Sequence, residues 1–384
     1  MPINYLYIDD EKTEILQTLI EAIERESEDA IKIHHTQVLD TISAYVLYIQ
    51  ANEDDIQGII VDQDLKAESD IGNKADYFGT TVAQQLRTEM ALSSIKALPI
   101  ILLSNEEAMV ESFEPDDSSK NLFDYVVKKK EVANSGLRPR IVAMLQALHS
   151  AYSIISRYKK GLGTDLSKVE IQTILDCHTE IFGFIDSRLL DYLSSKASDP
   201  HALVNAIYTS LVQSAGILVT ENMLLTKLGL SSESSDWESL KSNFECFRYT
   251  GPFSNLKERW WLSGIEDWWY NLHPDEALQS LTCKERVSLL KSRLELEGLK
   301  PIPPNYPNGE QSGYLWVNCV LSGVALDTHD ALRVRDTEAK PWEQPKYIDL
   351  RAHLNDEDNK YKIHQDDRSK VKLLLARLKP DVNE

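Results

Sequence analysis

The chain has 384 residues, 41 of them basic and 61 acidic, giving a formal net charge of −20 at pH 7 and enough length for two or three cores. Such acidity excludes the usual nucleic-acid binder, which needs clustered Lys and Arg against phosphate. Residues 1–140 alone hold 27 acids against 13 bases, so the acidity is concentrated at the N-terminal end.

No run of about 18 apolar residues is present to span a membrane, and the opening MPINYLYIDD lacks the regions of a signal peptide. Cys177, Cys246, Cys283 and Cys319 are scattered without a CxxC pair. The expectation is a cytoplasmic protein with reduced thiols and no membrane partner.

In chain order, five short apolar runs alternate with segments of helical period across the first 150 residues. They are INYLYI (3–8), AIKIH (30–34), IQGIIV (56–61), LPIILL (98–103) and FDYVV (123–127). Runs of this length, rich in Ile and Val and without strict alternation, suit strands buried on both faces. After the first, Ile15, Leu16, Leu19, Ile20 and Ile23 form one helical stripe, as an amphipathic helix requires. TQVLDTISAYVLYIQ and GTTVAQQLRTEM read the same way. Five such βα units imply a parallel sheet covered on both faces, with ligands bound beyond the carboxyl ends of its strands.

Those ends are chemically marked. Asp9 and Asp10 follow the first strand, Asp62 the third, Ser104 the fourth and Lys128 the fifth. Three carboxylates bind a hard cation such as Mg²⁺ through oxygen, and an aspartate can act as a nucleophile carrying an acyl phosphate. The cation and an ammonium neutralise charge on a transferred phosphoryl group. Each residue also has a plainer reading. Asp9 and Asp10 suit solvated loop acids or a helix N-terminal pair, Ser104 with Glu107 matches a capping box, and Lys128 lies in a triple-lysine run.

Taken together, YIDDE, GIIVDQDL, ILLSNEE and FDYVVKK make residues 1–150 resemble the receiver domain of bacterial two-component response regulators. The resemblance implies a flavodoxin-like α/β fold with a five-stranded parallel sheet. It implies Asp62 as phospho-acceptor, Mg²⁺ held by Asp9, Asp10, Asp62 and the Asp64 carbonyl, and Lys128, Ser104 and Tyr125 as the phosphate-contacting and switch residues. A histidine kinase or phosphotransfer protein is then the expected phosphodonor. Departures from the pattern are a longer segment after Asp62 with no Pro, Asn105 in place of a small residue, and Lys129 in place of a proline. Asn105, with Glu106 beside it, is expected to tune the lifetime of the acyl phosphate.

Beyond the sheet, Pro139 opens a helical segment that runs to Gly161 and Gly163, roughly 30 Å long, and is expected to act as a stiff connector. Residues 151–300 read as an α-helical output or interaction domain, and 301–384 as a mixed α/β tail. His149 and His178 lack the surroundings of phosphotransfer histidines and read as ordinary helix residues. Trp260, Trp261, Trp268 and Trp269 repeat at a spacing of eight, fitting either a core stripe or an aromatic anchor for a protein partner. The expected function is a phosphorelay protein acting through that partner. The rival readings are a phosphate sink with no output and a regulator whose C-terminal region is an unrecognised enzyme.

Overall fold

The computed structural model describes residues 2–66, 77–113, 117–304, 312–356 and 360–378. The first half builds a sheet of β1 (Ile3–Ile8), β2 (Ile31–Thr36), β3 (Gly58–Val61), β4 (Ile100–Ser104) and β5 (Tyr125–Lys128). Their order is β2-β1-β3-β4-β5, and every pairing is parallel. The helices are α1 (Thr13–Glu26), α2 (Ile42–Ala51), α3 (Gly79–Ala91), the single turn α4 (Glu106–Ala108), α5 (Lys129–Ala133) and α6 (Arg138–Ile155).

Side chains alternate across a strand, and β1 divides its contents accordingly. Leu6 and Ile8 join Val61, Leu102, Tyr45, Val82 and Leu86 in one core layer. Tyr5 and Tyr7 point the other way, and the Tyr5 hydroxyl donates to the Leu145 carbonyl of α6 at 2.7 Å. Gly58 lies opposite Tyr5 in the register. A Cβ there would stand 2.1 Å from the Tyr5 ring, so only glycine admits the tyrosine. On α1 the buried stripe is Leu16, Ile20 and Ile23, while the expected Ile15 faces solvent.

The chain divides into two compact units, the first comprising Met1–Leu175, Asp191–Tyr208 and Gly251–Leu256. Helix α6 and the short 3₁₀ turn after it end at Tyr158, so the expected continuous helix to 161 stops earlier. Residues 159–175 still belong to the first unit, so the segment is no bare connector. The helix Pro200–Ile207 packs on α6 in this unit. It is fastened through a buried network at the start of β5. Asp124 accepts from Arg87 (2.7 Å), Tyr152 (2.9 Å) and the Ile100 N–H (2.8 Å), and His201 Nδ1 lies 2.9 Å away. Burial opposes the Asp124 charge, but Arg87, His201 and these hydrogen bonds hold its carboxyl well below the usual range.

The second unit comprises Asp176–Leu190, Thr209–Thr250 and Lys257–Glu384. It is mostly helical, with small antiparallel pairs: Leu218–Thr220 with Arg259–Trp261, Val317–Asn318 with Ala325–Leu326, and Leu332–Arg333 with Tyr347–Ile348. Trp260 and Trp261 therefore sit on a strand, and only Trp268 and Trp269 lie on the helix Leu262–Leu272. Trp260, Trp261 and Trp269 are fully enclosed, and Trp268 packs edge-on against Phe244 at 4.9 Å. Of the two readings, core is the one that Trp260, Trp261 and Trp269 follow, while Trp268 is half-buried. No helix among the described residues is long and apolar enough to cross a membrane.

Candidate functional site

Three strand ends deliver the acids and the hydroxyl to one place. Asp9 follows β1, Asp62 follows β3, and Ser104 is the last residue of β4; all three are buried. Asp9, Asp10 and Asp62 each offer a carboxylate oxygen within 4.8 Å of the others, a spacing compatible with one shared cation.

The backbone fixes this arrangement. The Asp62 N–H donates to the Ile8 carbonyl at 2.9 Å, tying β3 to β1, and Asp62 Oδ1 accepts from the Gln63 N–H at 2.7 Å. Asp9 Oδ1 accepts from the Glu11 N–H at 2.9 Å, and the Tyr7 hydroxyl donates to its other oxygen. Gly79, at the start of α3, lies so close that a Cβ would stand 2.0 Å from the Asp62 carbonyl oxygen. Any larger residue would push β3 and α3 apart.

The ammonium in this cluster belongs to Lys129, and the expected Lys128 is corrected accordingly. Lys129 Nζ lies 2.8 Å from Asp9, 3.0 Å from Glu11 and 3.1 Å from Asp62. Lys128 instead reaches Glu106 at 2.8 Å, with Lys130 on the same carboxylate. The reason is strand alternation: Val127 and Lys129 share the inward direction, and both are buried. Glu131 accepts from the Lys128 N–H at 3.0 Å, so α5 begins with Lys129 as its first residue.

Electrostatics distinguish the members. Burial and the Asp9 charge push the Asp62 carboxyl up to about 6, against the opposing pull of Lys129 and Ser104. Burial disfavours the Lys129 ammonium, but Asp62, Asp9 and Glu11 outweigh it and raise the group. Glu106 is exposed, and its hydrogen bonds to Lys128 and Lys130 hold it at about 2.

The Ser104 hydroxyl is completely enclosed and, among the described residues, has no hydrogen bond of acceptable geometry. It nevertheless lies close enough to Asp62 to favour the carboxylate. The capping reading of Ser104 fails, because Asn105 occupies the N-cap of α4 in extended backbone geometry. Buried polar atoms are normally satisfied, so an orphaned hydroxyl beside a carboxylate marks a place for a further polar group.

The remaining expected residues sit around this centre. Asn105 and Glu106 are exposed at its edge. Asp64 is exposed and its backbone bridges to Phe78; much of the long segment after it (67–76) lies outside the described residues. Tyr125 is half-buried at the start of β5, and burial raises its hydroxyl. His149 is half-buried on α6, and His178 is exposed at a helix start. Glu11, Tyr7 and Lys129 were not singled out as site residues from the sequence. The alternation of β5 carried the signal for Lys129.

Neither a scan against protein-family models nor a search of curated proteins finds a match to this chain. The parallel sheet with its acidic cluster is compatible with a receiver fold.

Proposed function

We propose that the first unit accepts a phosphoryl group on Asp62 from a histidine kinase or phosphotransfer protein, and that the protein signals through a protein partner of its C-terminal region. The observation that carries this reading is the convergence of three carboxylates, one buried ammonium and an orphaned hydroxyl beyond the carboxyl ends of adjacent parallel strands.

The donor set is all oxygen, which suits Mg²⁺. Asp9, Asp10, Asp62 and the Asp64 carbonyl would hold it. When bound, the cation would neutralise charge on the phosphoryl oxygens. Asp62, with one oxygen fixed by the Gln63 N–H, attacks phosphorus with the other. The bond from phosphorus to the donor breaks, and the electron pair leaves with the donor nitrogen or oxygen. Lys129 turns from its carboxylates toward the new phosphoryl oxygens. Ser104 supplies a hydroxyl to the same group, satisfying an atom that otherwise makes no hydrogen bond of acceptable geometry among the described residues. Tyr125, half-buried on β5, reports the Ser104 movement along the strand to which β4 is paired.

Incubation with acetyl phosphate and Mg²⁺ tests the reading. Intact mass should rise by one phosphoryl group, and Asp62→Asn should remove the gain. Undiminished labelling of Asp62→Asn would overturn it.

A further inference from the structure

The second unit holds a buried lysine whose surroundings do not support a charge. Lys227, at the end of the helix Glu221–Leu228, is 1 % exposed. Among the described residues its amine has a single hydrogen-bond acceptor, Gln344 Oε1 at 3.0 Å, and no carboxylate within ion-pair distance. An ammonium has three donors to satisfy, and a buried charge without a partner is costly.

A second cation makes the position worse. Arg286 is fully buried and donates to the carbonyls of Lys227 (3.0 Å) and Leu315 (2.9 Å). Its guanidinium and the Lys227 amine approach the same Trp316 ring, at 5.4 and 4.0 Å from the centroid. One aromatic face attracts a cation, but two cations on one ring repel each other. Arginine does not deprotonate in proteins, so the lysine is the group that sheds its proton. Burial and Arg286 together draw the Lys227 amine down to about 7, with Glu266 opposing.

The acceptor of the amine, Gln344, borders a groove of about 440 Å³, and Glu266 lines the same groove. The backbone of Gln344 is fixed, since its N–H donates to the Ala215 carbonyl at 2.8 Å and Gly216, at φ +123°, abuts it. Lys227 itself does not line the groove, and Gln344 is the lining residue that contacts its amine. Asp186, Glu266 and Glu343 line it as well, so an anionic ligand is disfavoured. Glu266 is exposed, yet desolvation of its carboxyl raises it, with Lys227 opposing.

We propose that rotation of the Gln344 side chain opens the Lys227 amine to this groove, and that the amine condenses there with neutral or cationic aldehydes. The Nζ lone pair attacks the carbonyl carbon and forms a C–N bond, while the carbonyl oxygen takes a proton from the Glu266 carboxyl. Nitrogen returns one proton to Glu266. The hydroxyl then leaves as water with that proton, and the nitrogen lone pair closes the C=N bond as the second nitrogen proton returns to Glu266. One amine and one carbonyl give one imine and one water, with no oxidant or reductant.

The full chain is treated with glycolaldehyde and cyanoborohydride near neutral pH, and the alkylated lysines are mapped by mass spectrometry. Lys227 should react at least about tenfold faster than the exposed lysines, which are almost wholly protonated at that pH. Gln344→Ala should accelerate it further, anionic glyoxylate should react more slowly than glycolaldehyde, and unfolding in guanidinium should erase the preference. Labelling of Lys227 no faster than the exposed lysines, in both the native protein and Gln344→Ala, would overturn the proposal.

Discussion

Strand β5 has a buried aspartate cluster near each end, and the two clusters are built to opposite rules. At its start, Asp124 is saturated: Arg87, Tyr152, His201 and a backbone N–H all converge on one carboxylate. Its charge is matched and its carboxyl is held low. Past the other end, Lys129 serves Asp9, Glu11 and Asp62 at once, Asp62 is raised, and Ser104 has no partner of acceptable geometry among the described residues. A saturated cluster fastens secondary structure, here the helix Pro200–Ile207 to the sheet. An unsaturated one retains capacity for a cation and an anion, which is the electrostatic demand of phosphoryl transfer.

This contrast is broken most completely by exchanging the acids. Asp62→Asn should abolish phosphoryl labelling while leaving the unfolding midpoint nearly unchanged, because it removes a charge that burial and Asp9 already oppose. Asp124→Ala should do the reverse. Leaving Arg87 buried without its carboxylate should cost about 3–5 kcal/mol, read by chemical denaturation, and labelling per folded molecule should persist.

The lysine register gives the next largest effect. Lys129→Met should slow labelling by roughly tenfold to a hundredfold, as expected when a charge-stabilising group is removed. Lys128→Met, which loses a pair with the exposed Glu106, should stay within about twofold. Equal effects of the two substitutions would place the ammonium elsewhere.

A smaller effect is expected from pH. In the proposed reaction Asp62 attacks as the carboxylate, and its carboxyl is raised to about 6, so the labelling rate should be high above that value and fall as pH drops through it. Glu106, held at about 2 by its two lysines, should add no step in this range. A rate flat from neutral pH to 5 would remove the burial argument for Asp62.

Much of the sheet was legible because apolar runs bounded by polar residues suit strands buried on both faces. Asp9, Asp10, Asp62 and Ser104 could be read from their places at the ends of those runs. The lysine could not be placed by type, since Lys128, Lys129 and Lys130 are chemically identical. A one-residue shift reverses the face in a strand, and only the buried Val127 indicates which lysine turns inward. The attachment of Pro200–Ile207 was hidden for a different reason. His201 lies 77 positions from Asp124, and no local period encodes such a pairing. The tryptophans misled because a spacing of eight suits one helix face, whereas a strand carries the first pair.

The most direct measurement identifies the atom that receives phosphorus. After treatment with acetyl phosphate and Mg²⁺, borohydride reduces an aspartyl phosphate to homoserine, which is then located by peptide sequencing. The account predicts homoserine at position 62 and at no other position. Homoserine elsewhere, or phosphate on a histidine or serine with Asp62 intact, would contradict it.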